Sequence, residues 1–152
     1  MKNTTLVYIE KDGKYLMLHR TKKQQDPNAN KWIGVGGHFE ENETPVECAL
    51  REVKEETNLI LTEYRFRGIV TFISDKYETE YMHLFTATEF TGELSECDEG
   101  ELKWIDKGEI LNLNLWEGDK VFLKYLLDDE DAFFLKLEYE GDKLVKCTRE
   151  LS

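Results

Sequence analysis

The sequence predicts one domain of mixed α and β structure, and three features carry that prediction. Two strand-like runs flank Lys11-Asp12-Gly13-Lys14 near the start, and Thr44-Pro45-Val46-Glu47 carries agreeing helix-start signals. β-branched and aromatic residues then concentrate between Leu61 and Phe90. At 152 residues the chain has the length of an ordinary domain and can bury a core without disulfides or a structural metal, so residues 1–152 are read as one unit.

In chain order, Leu6 to Ile9 and Tyr15 to Arg20 form the opening pair, because Asp-Gly between apolar runs is a strong hairpin signal. Thr21 to Lys31 lack periodicity and hold Pro, Asn and Asp, and are read as an exposed loop. The glycines of Trp32-Ile33-Gly34-Val35-Gly36-Gly37 permit a tight turn or a close approach of backbone to ligand. Thr44 as N-cap, Pro45 at the first helical position and Glu47 three residues after the cap define a helix start, and Asn58 suits a left-handed C-cap.

At about 100° per residue, Val46, Ala49, Leu50, Val53 and Thr57 share one arc of this helix, with Glu52, Glu55 and Glu56 opposite. Two strands joined across Asp75-Lys76 are expected over Leu61 to Phe90, then a polar loop and a short strand at Leu102 to Ile105. Lys120 to Leu127 has helical spacing, and FFLKLEY and KLVKCTREL pair across Glu140-Gly141-Asp142.

Lys and Arg total 20 against 32 Asp and Glu, a formal charge of −12, which argues against electrostatic binding to nucleic acid or anionic membrane. A polyanionic ligand then needs a cation as intermediary. No apolar run approaches the roughly 18 residues of a transmembrane helix and the N-terminus lacks a signal-peptide pattern, so a cytoplasmic location is expected. Cys48, Cys97 and Cys147 are far apart, with no C-x-x-C pair, and are read as isolated thiols.

The acidic run GGHFEENETPVECALREVKEETNL poses a physical problem in a chain already so negative. Glu52, Glu55 and Glu56 fall within one turn, where like charges weaken a helix by a few tenths of a kcal/mol. Clustered carboxylates, with a carbonyl from the preceding Gly36-Gly37 segment, are oxygen ligands suited to a hard divalent cation such as Mg²⁺. Such a cation offsets the repulsion and bridges to a small-molecule anion.

Gly37, Glu43, Arg51-Glu52-Val53, Glu55-Glu56 and Leu59 reproduce eight of the nine defined positions of the Nudix hydrolase signature G-x5-E-x7-R-E-U-x-E-E-x-G-U, U being aliphatic; Asn58 stands where the family has Gly. The chain therefore resembles Nudix hydrolases, which implies an α/β/α sandwich with a mixed sheet and hydrolysis of a nucleoside diphosphate linkage with Mg²⁺ or Mn²⁺. By this resemblance Glu52, Glu55 and Glu56 are metal ligands, with the Gly36 carbonyl as a further candidate. Glu43 and Arg51 pair to brace the loop that begins at Gly37. The family supplies a late glutamate from a loop equivalent to Asp98-Glu99, and Glu99 is taken as base and ligand. Glu52 and Glu56 stay open as alternative bases.

NKWIGVGG, CDEGELKWID and LNLWEGDKVF are similar to the MutT-type subgroup that hydrolyses oxidised purine nucleoside triphosphates such as 8-oxo-dGTP, in which a Trp and a nearby Asp line the base pocket. The matching positions are Trp116 and Asp119. An aromatic face stacks on a purine and a carboxylate accepts from its amine, whereas the structural alternatives are core packing for Trp116 and a helix cap for Asp119. Ile33 stands where the animal enzymes carry Asn. His38 and Lys23, with Lys22 beside it, are the candidate phosphate contacts; His19 and His83 are read as structural. Other diphosphate substrates, ADP-ribose or dinucleoside polyphosphates, remain open, as does a catalytically idle nucleotide sensor.

Overall fold

Asp12 and Gly13, at φ of 52° and 75°, close the first hairpin in the computed structural model, which describes residues 1–22 and 26–150. Positive φ at both turn positions matches the right-handed twist of the strands they join. The hairpin is β1 (Lys2–Lys11) and β2 (Lys14–His19). Short strands β3 (Trp32–Ile33) and β4 (Val35–His38) follow, then helix α1 (Pro45–Thr57). Long strands β5 (Ile60–Ser74) and β6 (Glu80–Thr91) lead to β7 (Glu101–Asp106), a 3₁₀ turn over Lys107–Asn112 and helix α2 (Glu117–Leu127). The hairpin of β8 (Phe133–Glu140) and β9 (Lys143–Glu150) ends the described chain, with Gly141 at φ 57° in its turn.

The strands form one mixed sheet in the order β3-β2-β1-β6-β5-β8-β9, with β4 also on β1 and β7 also on β2. β1 pairs in parallel with β6, and β5 with β8; the other ladders are antiparallel. β1 pairs with β4 from Thr4 to Val7 and with β2 only at Glu10 and Lys11, so its two halves have different partners on one edge.

The helices cover opposite faces of this sheet. Ala49 and Val53 of α1 bury against Val7, Ile9, Val35, Leu61 and Phe85. On the other face Phe122, Leu123 and Leu126 of α2 meet Leu6, Tyr8, Val70, Leu84 and Leu135. The layers are those of an α/β/α sandwich on a mixed sheet.

α1 begins where its signals placed it. Thr44 Oγ1 accepts from the Glu47 N–H at 3.0 Å, and the Glu47 carboxylate accepts from the Thr44 N–H at 3.0 Å. Asn58, at φ 67°, ends the helix and donates its backbone N–H to the Lys54 carbonyl, so the left-handed position is filled without glycine. α2 starts earlier than the apolar spacing from Lys120 suggests, with Trp116 as its N-cap residue and no side-chain cap, so Asp119 does not cap the helix. Gly36 and Gly37 lie in strand β4 rather than in a turn, and neither has positive φ. A Cβ on Gly36 would stand 1.9 Å from the Thr5 carbonyl oxygen, so the missing side chain lets two strands approach.

Candidate active site

One cavity of about 510 Å³ lies where β1, β4, α1 and α2 converge. Six carboxylates face it, from Asp26, Glu52, Glu56, Glu80, Glu99 and Asp119, with Lys2 and Arg20 as the full cations and His38 at its wall. A polyphosphate entering such a cavity meets net negative charge, and a divalent cation is the simplest way to reverse that field.

Glu52, Glu55 and Glu56 of α1 are not placed alike. Glu52 and Glu56 are separated by four residues, about 40° apart on the helix, and both face the cavity. Glu55 lies about 60° to the other side of Glu52. Its side chain is 57% exposed, 3.2 Å from Arg51 Nη1, and is not among the cavity-lining residues. Burial, then the charges of Glu99 and Glu52, hold the Glu56 carboxyl well above the usual carboxylate range. Its Oε2 is buried without a hydrogen-bond partner.

Ligand atoms of Glu56, Cys97 and Glu99 lie within 4.8 Å of one another. A buried carboxylate lacking a donor, beside two further carboxylates, fits a divalent cation. Arg20 forms ion pairs with both loops, Nη1 3.1 Å from Glu99 Oε2 and Nε 2.6 Å from Asp26 Oδ2. Arg20 thus ties the loop of Asp26 to the loop of Glu99. Cys97, read from sequence as an isolated thiol, stands at this cluster, and burial pushes its thiol up. Arg20 and Asp26 bear no periodic or motif signal; their roles come from contacts across the chain.

Arg51 braces the same region. Its Nε and Nη2 meet the two oxygens of Glu43 at 2.6 and 2.9 Å, Nη2 also donates to the His38 carbonyl at 3.0 Å, and Nη1 reaches Glu52 at 2.8 Å. The Arg51 hydrogen bonds draw the Glu43 carboxyl down to about 2. A Cβ on Gly37 would lie 2.5 Å from the carboxyl carbon of Glu52, so the glycine makes room for that carboxylate. Gly36 lines the cavity beside it.

The other end of the cavity is aromatic. Trp116 lies edge-on to Phe72 and Tyr139, donates from Nε1 to Asn28 Oδ1 at 2.7 Å and has Lys31 Nζ 5.4 Å from its ring. It is 7% exposed, so it packs in the core and also lines the cavity. Ile33, Tyr77 and Met82 line the wall with it. Lys22 is turned away, donating from Nζ to the Cys97 carbonyl at 2.8 Å, and Lys23 lies outside the described residues. His19 stacks on Trp32 at 4.4 Å and His83 tilts against Phe39 at 5.1 Å.

Burial, and secondarily the charge of Glu80, push the Asp119 carboxyl up to about 7. The folded chain therefore keeps a proton that the unfolded chain releases above the ordinary aspartate value near 4. Stability from this group is full below pH ~4 and falls by about 1.4 kcal/mol per pH unit up to pH ~7. Asp119→Asn removes the fall, so its stability relative to the native chain should rise across that window and level off above it. Urea melts at pH 4, 5.5 and 8 measure this; a constant difference would contradict the buried, protonated carboxyl.

Residues 2–126 match the NUDIX domain family. The chain is 31% identical to the Nudix hydrolase YvcI of Bacillus subtilis over 84% of its own length and 80% of that protein. It is 30% identical to an oxidized purine nucleoside triphosphate hydrolase of Danio rerio, over 93% and 88% of the two chains. A crystal structure of a MutT protein from Bacillus halodurans superposes with a TM-score of 0.88 at 26% identity, covering 99% and 98%. None of the described helices is long and apolar enough to cross a membrane. The fold, the braced acidic cavity and these likenesses agree: the chain belongs to the Nudix family and is a MutT-like hydrolase of phosphoanhydride bonds.

Proposed function

We propose that the protein is a divalent-metal-dependent pyrophosphohydrolase of purine nucleoside triphosphates, oxidised forms among them, releasing a nucleoside monophosphate and pyrophosphate. The observation that carries this reading is the union of two subsites in one cavity: the carboxylates of Glu52, Glu56 and Glu99, and the pocket of Trp116 and Asp119. The likeness to the oxidized purine nucleoside triphosphate hydrolase of Danio rerio supports it.

Glu52, Glu56 and Glu99, with the Gly36 carbonyl, would hold the cation, Mg²⁺ or Mn²⁺, and Glu55, exposed outside the cavity lining, is the remaining ligand proposed from the family signature. When bound, the cation supplies charge neutralisation at the phosphates and a more acidic water. The chain's own residues do the rest. Trp116 offers an aromatic face to the base, and His38 and Lys23 are the proposed phosphate contacts. Arg51 keeps Glu52 oriented, and Arg20 keeps Glu99 at the cavity wall. Glu99, or Glu56 or Glu52 beside it, takes the proton of the attacking water.

Incubation with Mg²⁺ and a panel of dGTP, 8-oxo-dGTP, ATP, ADP-ribose and diadenosine polyphosphate tests this. Monophosphate and pyrophosphate from the triphosphates are expected, with no turnover when the metal is chelated. Turnover confined to ADP-ribose or the dinucleotide would replace the proposed substrate, and binding without turnover of any member would make the protein a sensor.

A further inference from the structure

Glu80, at the first position of β6, belongs to no motif of the chain and yet shares the cavity wall with Asp119, Trp116 and Phe72. Its place is set by the parallel ladder of β1 and β6, which sets Lys2 opposite Glu80 and Thr4 opposite Met82. Thr4, itself 5% exposed, donates from Oγ1 to Glu80 Oε2 at 2.7 Å, and Lys2 Nζ stands 3.7 Å from Oε1. A carboxylate has about four lone-pair sites, so two partners leave acceptor capacity facing the cavity. The side chain is 22% exposed, held on the wall rather than solvated beyond it.

We propose that Glu80 is a substrate-selecting residue, a second carboxylate at the base subsite that accepts from the exocyclic 2-amino group of a guanine-type purine. This deepens the purine triphosphate reading and rests on it. The Glu80 carboxylate offers acceptor oxygens, whereas a protonated Asp119 both donates and accepts. Together they present one donor and several acceptors. A guanine-type edge matches this set, with its carbonyl oxygen as acceptor and its N1–H and 2-amino groups as donors. Adenine and hypoxanthine have no 2-amino group and would leave the Glu80 carboxylate desolvated without a new donor. A site built to bond a group discriminates strongly against an analogue lacking that group, because its own polar atoms are then left unpaired.

The charge environment supports the division of roles. Glu80 raises the proton affinity of Asp119, while Lys31 opposes the rise. Glu80 has Lys2 and Thr4 beside it, and Ile33, Phe72 and Met82 give the same cavity apolar lining.

dGTP and dITP differ only in the 2-amino group and provide the test. The native chain should favour dGTP over dITP by about tenfold or more in kcat/KM. In Glu80→Met the preference should shrink to within about threefold, mostly through KM, because base contacts are made in ground and transition states alike, while Glu80→Gln, whose amide oxygen still accepts, should keep part of it. Metal-free calorimetry with dGMP and dIMP gives the same comparison without turnover, and circular dichroism checks that both variants fold. A full dGTP preference that survives in Glu80→Met would overturn the role of Glu80 and leave the pyrophosphohydrolase reading intact. Equal affinity of the native chain for dGMP and dIMP would overturn it as well. Failure to hydrolyse any triphosphate would overturn the activity instead, while the monophosphate affinities still decide whether Glu80 reads the amino group.

Discussion

Glu56→Gln is expected to fold, to melt roughly 5 °C higher than the native chain without metal, and to lose about a thousandfold in turnover. The two effects have one origin. In the metal-free chain Glu56 is buried among Glu52 and Glu99, with Oε2 lacking a donor, and its carboxyl holds a proton well above the ordinary range. The unfolded chain gives up that proton above pH ~4.3, so folding carries a cost that grows with pH until the raised value is reached. An amide has no such cost and keeps an N–H for Glu52. What it cannot supply is the negative charge a cation needs, and withdrawal of about 4 kcal/mol of transition-state stabilisation corresponds to a thousandfold in rate. Scanning calorimetry at pH 5 and 8 in chelator, with turnover of dGTP in Mg²⁺, measures both. A destabilised but active variant would remove Glu56 from the metal site.

Such a residue shows what was legible in the sequence. The cap of α1, the turn at Asp12-Gly13 and the two long strands were readable because their signals are local, a few residues that satisfy their own backbone groups. The spacing from Gly37 to Leu59 was readable for the same reason. Burial of Glu56 was not, since helical periodicity assigns an arc but not what covers it, and the covering loop of Cys97 and Glu99 lies some forty residues on. Glu80, Asp26 and Arg20 were unreadable for a related reason. Strand register and one ion pair bring them to the cavity, and neither leaves a mark in neighbouring residues. Trp116 was left between core and base pocket; it packs in the core and lines the cavity.

Gly36→Ala and Gly37→Ala, each adding one methyl group at neighbouring positions, should fail in different ways. At Gly36 the added carbon falls 1.9 Å from the Thr5 carbonyl oxygen and 2.7 Å from its carbon, both backbone atoms held in the ladder of β1 and β4. No rotamer relieves such a contact, so β4 must leave β1, at a cost of about 3 kcal/mol or more. At Gly37 the obstacle is the carboxylate of Glu52, the far end of a flexible side chain, at 2.5 to 2.7 Å. Glu52 can swing aside, so the fold survives, but the carboxylate leaves the place that Arg51 Nη1 holds at 2.8 Å. A displacement near 1 Å at a catalytic group costs about a hundredfold in rate. Urea melts should thus show a lowered midpoint for Gly36→Ala and a near-native one for Gly37→Ala, with turnover of dGTP reduced about a hundredfold in the latter. Full activity in Gly37→Ala would mean that Glu52 works from another position, and a fully stable Gly36→Ala would contradict the close approach of the two strands.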